Sequence, residues 1–279
     1  MSDTDPAARE RLDSVDAPNG YSPAAQHLSA DAPRLVMLGP QGSGKGTQCL
    51  RVAAELGVVH LSTGEVFRQA VRAHTLLGRQ VQAFLSGGSL VPDELVAEVV
   101  AARLGAAEVH QRGFVLDGFP RTIGQARILA EFLRPGDIDL AIHLVLPRAV
   151  ATRRLLARRV CEACRYTTTV TQSCCPACGG GLVRRDDDTG PALRTRLLAY
   201  VAQTRPLLDW YAARGQLARV DANGTSLGVT ITLLGVLSRA LGERCLDLVA
   251  AERAADPLRS SDPPNTSRFS RSICSSPIP

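Results

Sequence analysis

The chain has 279 residues, of which 45% are hydrophobic, and its formal net charge is +5. This length and apolar content support one large α/β domain with a small insert. The sequence contains neither an apolar run of about 18 residues nor the basic and apolar start of a signal peptide, so we expect a cytoplasmic protein that does not enter a membrane.

The first predicted element is a tail. Residues 1–33 are rich in Asp, Ala, Pro and Ser and show no periodicity, which predicts a disordered acidic segment. A buried strand is predicted at 35–38 and a helix at 48–56. The segment between them, 39–47, reads GPQGSGKGT, which is typical of a phosphate-binding loop. A glycine-rich turn without a ligand is the alternative, although such a turn needs neither the lysine nor the hydroxyl.

The loop at 39–47 is suited to binding an anion. Its glycines allow several backbone N–H groups to point at one anion, and the following helix adds the partial positive charge of its N-terminus. Lys45 adds a full charge and is the only lysine of the chain, which indicates a role that arginine cannot fill. A GC-rich genome is the alternative explanation for the scarcity of lysine.

Strands and helices then alternate along the chain. Strands are predicted at 58–61, 113–117, 139–145 and 217–221. A helix is predicted to begin with a capping box of Ser62 and Glu65, and further helices are predicted at 75–86, 92–104, 122–133, 149–159, 191–213 and 226–241. This order predicts a five-stranded parallel sheet covered on both faces. Because ligands bind beyond the carboxyl ends of such strands, we expect the loop at 39–47, Asp117 and Arg121 to meet in one crevice.

Five of the eight cysteines fall within the segment 160–188, which is too small for a core of its own. Four of them form two Cys-x-x-Cys pairs, Cys161 with Cys164 and Cys175 with Cys178. Four thiolates at this spacing fit a closed tetrahedral Zn²⁺ that would hold the segment together. Cys174 is an alternative ligand to Cys175, and reduced thiols without a metal are the alternative to zinc.

Five segments resemble the adenylate kinase family, in sequence and in order. They are GPQGSGKGTQ at 39–48, HLSTGEVFR at 60–68, GSLVPDELV at 88–96, GFVLDGFPRTIGQA at 113–126 and RDDDTGPALRTRLLAY at 185–200. The resemblance covers about 34–241 and implies a three-layer P-loop α/β fold. It implies a kinase domain at 34–245, with a helical AMP-binding flap at 62–91 and a small zinc-binding lid at 157–188. Residues 246–279 are predicted to be a second disordered tail.

The resemblance implies in-line transfer of a phosphoryl group from ATP to AMP, which gives two ADP. Such a transfer needs no general base, because the acceptor phosphate oxygen is already anionic, so positioning and charge stabilisation carry the catalysis. The family's plan also implies Mg²⁺ bound with ATP, a structural Zn²⁺ and a monomer that binds no nucleic acid.

The resemblance assigns a set of residues to each role. ATP is expected at Gly42, Ser43, Gly44, Lys45, Gly46, Thr47, Arg154, Arg158 and Gly224. AMP is expected at Thr63, Arg68, Ser89, Leu90, Val91, Gly118, Phe119, Pro120, Arg121, Gln125, Arg185 and Arg196. Catalysis is assigned to Lys45, Arg121, Arg158, Arg185 and Arg196, and Mg²⁺ to Thr47 and Asp117.

Some features leave other interpretations open. Gln41 stands where the family usually has proline, and the segment between the two cysteine pairs is shorter than is usual for the family. Asp186–Asp188 form either a plain turn or a hinge or salt-bridge partner. The competing functions are another nucleoside monophosphate kinase that uses UMP, CMP or GMP, a nucleic-acid-binding protein with a zinc ribbon, and a slow degenerate relative of the kinases. Cys49 is interpreted as an ordinary buried residue.

Overall fold

The structure is a computed structural model that describes residues 32–164, 166–169, 174–185, 188 and 190–242. The predicted tails, apart from residues 32 and 33, lie outside the described residues, as do Asp186, Asp187 and the last three residues of the predicted kinase domain.

The described chain alternates between strands and helices. The strands are β1 (Arg34–Leu38), β2 (Val59–Ser62), β3 (Phe114–Asp117), β4 (Leu140–Val145), β5 (Arg159–Cys161), β6 (Thr167–Thr168), β7 (Leu182–Val183) and β8 (Leu217–Asp221). The helices are α1 (Lys45–Leu56), α2 (Thr63–Arg72), α3 (Leu76–Gly87), α4 (Asp93–Leu104), α5 (Ala107–Arg112), α6 (Ile123–Phe132), α7 (Arg148–Ala157), α8 (Gly190–Ala199), α9 (Pro206–Ala212) and α10 (Ser226–Leu241). None of the helices in this part of the chain is long and apolar enough to cross a membrane.

Five strands form a parallel sheet in the order β2-β3-β1-β4-β8. The central strand β1 shows why the sheet is covered on both faces: successive side chains of a strand point to opposite sides. Val36 and Leu38 pack into one hydrophobic cluster, whereas Leu35 and Met37 pack into the other. The predicted α/β fold with a five-stranded parallel sheet is therefore confirmed.

A second, smaller sheet lies in the cysteine-rich segment. Its three antiparallel strands run in the order β6-β5-β7, and β5 pairs with both neighbours. This sheet explains why α7 is shorter than predicted. The helix was expected to continue to Arg159, but it ends at Ala157 because Arg158 is extended and Arg159 already pairs with Thr168.

Two other local predictions are wrong. Ser62 does occupy the N-cap position of α2, but its side chain makes no capping hydrogen bond, and the Glu65 carboxylate binds Arg68 and Arg72 instead of the backbone. The helix predicted at 191–213 is not continuous, since a π-helical turn (Tyr200–Thr204) separates α8 from α9. The hydroxyl of Tyr200 lies 3.0 Å from His143 Nε2 of β4, which ties this turn to the central sheet.

Candidate functional site

The loop between β1 and α1 has the backbone that its glycines allow. Gly39, Gly42 and Gly44 all have positive φ angles, of 146°, 82° and 90°. Space is also limiting at Gly42, because a Cβ atom there would lie 2.7 Å from the carbonyl oxygen of Ala151 in α7. Helix α1 begins at Lys45, three residues earlier than predicted, so its free N–H groups belong to the loop itself.

Lys45 is held inside this loop by its own backbone. Its Nζ donates hydrogen bonds to the carbonyl oxygens of Gly39, at 2.7 Å, and Pro40, at 3.0 Å. Burial, partly offset by the Asp117 carboxylate, lowers the pKa of Lys45 to about 8. A phosphate in the loop would restore the preference of this amine for its charged form, since an adjacent anion favours the cation.

Asp117 ends β3, next to the loop. Register pairs it with Met37 of β1 and Ser62 of β2, so the carboxylate lies at the edge of the sheet from which the loop rises. A Cβ atom on Gly46 would lie 3.4 Å from Asp117 Oδ2, which shows how closely α1 approaches this carboxylate. Thr47, in the same first turn, is half-buried. The loop and Asp117 therefore meet as the strand order predicts.

Cys49 and His60 lie beside Asp117, a grouping that the sequence analysis missed. The Sγ, a ring nitrogen and a carboxylate oxygen of the three residues all lie within 4.8 Å of one another. Burial raises the pKa of Cys49 and lowers that of His60, so both side chains are held neutral. The three residues come from α1, β2 and β3, and their spacing in sequence carries no signal of this contact.

A cleft of about 530 Å³, part of it open to solvent, lies beside the loop. It brings together nine of the residues predicted for AMP, which are Thr63, Arg68, Ser89, Leu90, Val91, Gly118, Arg121, Gln125 and Arg196. It is also lined by residues that the sequence analysis did not assign, which are Gly64, Phe67, Leu85, Gly88 and Val96. Within the described chain, this lining contains three guanidinium groups and no carboxylate or imidazole.

Arg68 reaches the cleft from α2. Its guanidinium is 3.1 Å from Glu65 Oε2, and a Cβ atom on Gly64 would lie 3.2 Å from it. Glu65 also binds Arg72, whose side chain is 43% exposed and does not line the cleft. One carboxylate thus orients one arginine towards the cleft and another towards solvent.

Arg121 and Gln125 are fixed by a short polar network. Arg121 Nε donates to the carbonyl oxygen of Gly118 at 2.8 Å, and its backbone N–H donates to Gln125 Oε1 at 2.7 Å. Gln125 Nε2 and Thr122 Oγ1 both donate to the Asp93 carboxylate, at 2.8 and 2.7 Å. The second Nε2 hydrogen of Gln125 and the second lone pair of its Oε1 are left for a ligand. Asp93 was missed because an acidic residue in the first turn of a helix is common for other reasons.

Three of the residues predicted for AMP do not line the cleft: Phe119, Pro120 and Arg185. Phe119 is 1% exposed and packs in the hydrophobic core, and the peptide bond between it and Pro120 is cis. These two residues shape the turn that presents Gly118 and Arg121. Arg185 follows β7, and its carbonyl oxygen accepts from the N–H of Asp188 at 3.0 Å.

Asp188 joins two of the predicted catalytic arginines. Its side chain is fully buried, and its Oδ2 accepts from Arg158 Nε at 2.7 Å. Its Oδ1 accepts from Arg158 Nη2 and, at 3.4 Å, from Arg196 Nη1, while Arg184 binds its carbonyl oxygen. The prediction that one residue of 186–188 is a salt-bridge partner is thus confirmed for Asp188.

Arg154, on α7, binds the segment that follows β8. Its guanidinium donates to the carbonyl oxygens of Ala222, at 2.9 Å, and Gly224, at 3.2 Å. Arg154 and Gly224, which were both predicted to contact ATP, therefore lie together beyond the end of β8.

The four predicted zinc ligands also lie together. The Sγ atoms of Cys161, Cys164, Cys175 and Cys178 are all within 4.8 Å of one another. Two of the Sγ–Sγ distances are 3.5 Å, close to the edge of about 3.8 Å that a tetrahedron with Zn–S bonds of about 2.3 Å has. Cys174 instead bridges to Gly181 and lies outside this group. The donor set and spacing fit a structural zinc ion.

Comparison with known proteins gives one consistent result. The family model for adenylate kinase matches residues 37–216. An adenylate kinase of Moorella thermoacetica is 42% identical over 75% of this chain and 98% of its own length. The adenylate kinases of Acidothermus cellulolyticus and Streptomyces griseus are 42% and 37% identical, each over 73% of this chain and 97% of their own length.

Proposed function

Because this chain belongs to the adenylate kinase family, we propose that it transfers the terminal phosphoryl group of ATP to AMP and forms two ADP. The observation that carries the proposal is the presence of two cationic sites at one edge of the sheet. Lys45 lies in the phosphate-binding loop, and Arg68, Arg121 and Arg196 line the neighbouring cleft. Such a pair of cationic sites suits the binding of two anionic nucleotides.

On the ATP side, the loop holds the phosphates. The N–H groups of Gly42, Ser43, Gly44, Gly46 and Thr47 surround them, and Lys45 exchanges its two carbonyl partners for phosphate oxygens. Arg154 and Gly224 contact the adenine. Thr47 and Asp117 would hold the Mg²⁺ that is bound with ATP, which would neutralise part of the phosphate charge.

On the AMP side, the cleft separates the phosphate from the base. Arg68 and Arg121 bind the phosphate in the forked manner that guanidinium groups allow. Thr63, Gln125 and the backbone of Ser89–Val91 frame the adenine. The absence of a carboxylate or imidazole from the described lining supports a transfer without a general base, since the attacking oxygen is already charged.

The arginines near Asp188 stabilise the transferring group. Arg158 and Arg196 share the Asp188 carboxylate, which keeps both guanidinium groups extended before the substrates arrive. We assign Arg158, Arg185 and Arg196 to the charge that develops on the phosphoryl group, a kind of contact that supports catalysis most when water is excluded. We assign 62–91 as the flap and 157–188 as the lid that exclude it, within a kinase domain of 34–245.

Zinc in the lid has a structural role in this proposal. Cys161, Cys164, Cys175 and Cys178 would hold the ion with no position left for a substrate. The ion replaces the hydrophobic core that three strands of two or three residues lack.

A panel of nucleoside monophosphates tests the substrate. With ATP as donor, AMP should be turned over faster than UMP, CMP or GMP. Faster turnover of UMP or CMP would reassign the enzyme to another monophosphate kinase, and turnover near background with all four would support a degenerate relative. Binding of RNA or DNA, together with a lack of transfer, would support the nucleic-acid alternative.

A matched pair of arginine variants tests the position of the AMP phosphate. Arg68→Ala should raise the KM for AMP by about 10- to 100-fold, because a hydrogen bond to a charged group contributes about 1.5–3 kcal/mol. Arg72→Ala removes the other guanidinium on Glu65 and should leave that KM nearly unchanged. Equal effects of the two variants would place the AMP phosphate elsewhere.

A further inference from the structure

We propose that Cys49, His60 and Asp117 form a second metal site, which binds Zn²⁺ between helix α1 and the carboxyl ends of β2 and β3. The site is separate from the four cysteines of the lid, which lie in another sheet and supply only sulfur. It uses one thiolate, one imidazole and one carboxylate, and each comes from a different element of the fold.

The distances suit a small tetrahedral ion. The three ligand atoms lie within 4.8 Å of one another, and His60 Nε2 is 4.0 Å from Asp117 Oδ2. Zinc bonds of about 2.3 Å to sulfur and about 2.0–2.1 Å to nitrogen and oxygen require ligand atoms roughly 3.3–3.6 Å apart. The site would therefore close around the ion if the separations between ligand atoms shorten by up to about 1.5 Å, a change that side-chain rotation can supply.

The surroundings of the three ligands favour a cation. Cys49 is fully buried, and the side chains of His60 and Asp117 are only 17% and 16% exposed. His60 Nε2 is buried and has no hydrogen-bond partner in the part of the chain that the structure describes. A buried nitrogen in that state is costly, and a metal ion would satisfy it by accepting the lone pair of the nitrogen.

The donor set selects the type of ion. Sulfur and imidazole nitrogen suit Zn²⁺ and similar borderline ions, whereas Mg²⁺ prefers oxygen ligands. Three protein ligands leave a fourth position for water, as in zinc sites that are not purely structural. A second cleft, of about 330 Å³ and partly open to solvent, is lined by one of the three ligands, His60, together with Ser62 and Thr63.

Zinc bound at this site would lower the rate of phosphoryl transfer, an expectation that rests on the proposed function. Asp117 is assigned to the Mg²⁺ that is bound with ATP, so a zinc ion that takes this carboxylate withdraws it from the nucleotide site. Zn²⁺ would then inhibit phosphoryl transfer through Cys49 and His60, two residues that have no role in the transfer itself.

Direct binding tests the site without reference to activity. Full-length protein with its lid metal in place is titrated with Zn²⁺ in equilibrium dialysis, and with Co²⁺ while its absorption spectrum is recorded. The wild type should bind two zinc ions per chain. Cys49→Ala and His60→Gln should each lower the affinity for the second ion at least about tenfold. Even mutation of residues that only hydrogen-bond to metal ligands lowers metal affinity about 10- to 100-fold. Cys49→Ala should also abolish the thiolate-to-cobalt absorption that the second Co²⁺ produces.

The matched control is His110→Gln, a histidine of α5 outside both metal groups, which should keep both ions. Retention of the second ion in both Cys49→Ala and His60→Gln would overturn the site. Two variants are used so that a folding defect in one does not decide the result.

An activity measurement tests separately whether the bound zinc inhibits phosphoryl transfer. Zn²⁺ should inhibit the wild type, and Cys49→Ala should need at least about tenfold more Zn²⁺ for the same inhibition. A second ion that binds without inhibition would overturn the inhibitory role alone. Enzyme that carries only its lid metal, without added Zn²⁺, and that transfers nothing to AMP would overturn the proposed function, whereas the dialysis result would still support the site.

Discussion

We propose a phosphate-binding loop at 39–47 and a cysteine-rich lid at 157–188. Both are short segments with glycines at positive φ angles, yet different forces hold them. The loop rises from β1, whose last four residues are fully buried, and it packs against α7 so tightly that Gly42 has no room for a side chain. The lid has three strands of two or three residues, and Gly179, at a positive φ of 74°, has open space around it.

This difference separates two ways of building a site. The fold determines the shape of the loop, because its neighbours are backbone atoms of the core. The shape of the lid depends on four sulfur atoms that converge, so we expect it to depend on the ion that they would bind. Substitution of the tightly packed Gly42 should therefore affect binding and global stability together, whereas changes in the lid should leave the core intact.

The largest effect is expected from Lys45→Met. Loss of a charge aimed at the transferring group should lower kcat by about 10²–10³-fold or more. Thermal unfolding should not occur at a lower temperature, because the variant removes a buried charge. A coupled assay and circular dichroism measure the two quantities. Lys45→Arg should also lower kcat. The carbonyl oxygens at 2.7 and 3.0 Å from Nζ leave space for an ammonium group but not for the larger guanidinium group. Near-normal turnover in either variant would contradict the assignment.

Cys178→Ser should have the next largest effect, confined to the lid. It removes one of four thiolates, so the lid metal is lost, the segment 157–188 becomes sensitive to protease, and turnover falls at least about tenfold. Circular dichroism of the core should not change. Cys174→Ser is the control and should keep the metal. Loss of metal in Cys174→Ser as well would make Cys174 a ligand in place of Cys175.

Alanine at three glycines compares the two regions directly. Gly44→Ala and Gly179→Ala should each cost about 1–2 kcal/mol locally, from the positive φ alone. Gly42→Ala should cost about 1–3 kcal/mol more, because its Cβ would meet a carbonyl oxygen at 2.7 Å. Urea denaturation of the core should show a large loss for Gly42→Ala and none for Gly179→Ala. Equal losses would mean that the lid and the core unfold as one unit.

The smallest effect is a pH dependence of the core. Burial, with added repulsion from Arg219 and Lys45, lowers the pKa of His143 from 6.5 to about 4. The unfolded chain therefore binds this proton first as the pH falls, so stability is lost between about pH 6.5 and 4 and is fully present above that window. Urea midpoints at pH 5 and 7.5 should differ more in the wild type than in His143→Gln. An equal difference in both would exclude His143 as a source.

Much of this architecture follows from local patterns. The apolar runs at β1 and β3 predict their strands to within a residue, because burial on both faces leaves little other choice. The strand at β8 is also predicted at its observed bounds, although only Val220 of it is buried. The cleft residues follow from the resemblance, since they occupy motifs next to strand ends. The capping box of Ser62 failed because Arg68 and Arg72 compete for Glu65, a contact on the helix surface that a capping motif does not encode.

The remaining features depend on contacts distant in sequence. The partners of Asp188 lie up to 30 residues away and meet only when the lid joins α8. The π-helical turn at Tyr200–Thr204 follows a pattern that reads as plain α-helix, and Tyr200 contacts β4 57 residues away. The proximity of Cys49 and His60 could be predicted only once the order of the strands in the sheet is known.

The environment of Lys45 also determines how this protein reacts with acylating reagents. Its amine is the only ε-amino group in the chain, and at a pKa of about 8 a fraction of it is the free nucleophile at physiological pH. Reagents that acylate lysine therefore have one side-chain target, at the centre of the phosphate-binding loop. Occupancy of that loop by ATP should protect it, which makes the rate of labelling a direct measure of nucleotide binding.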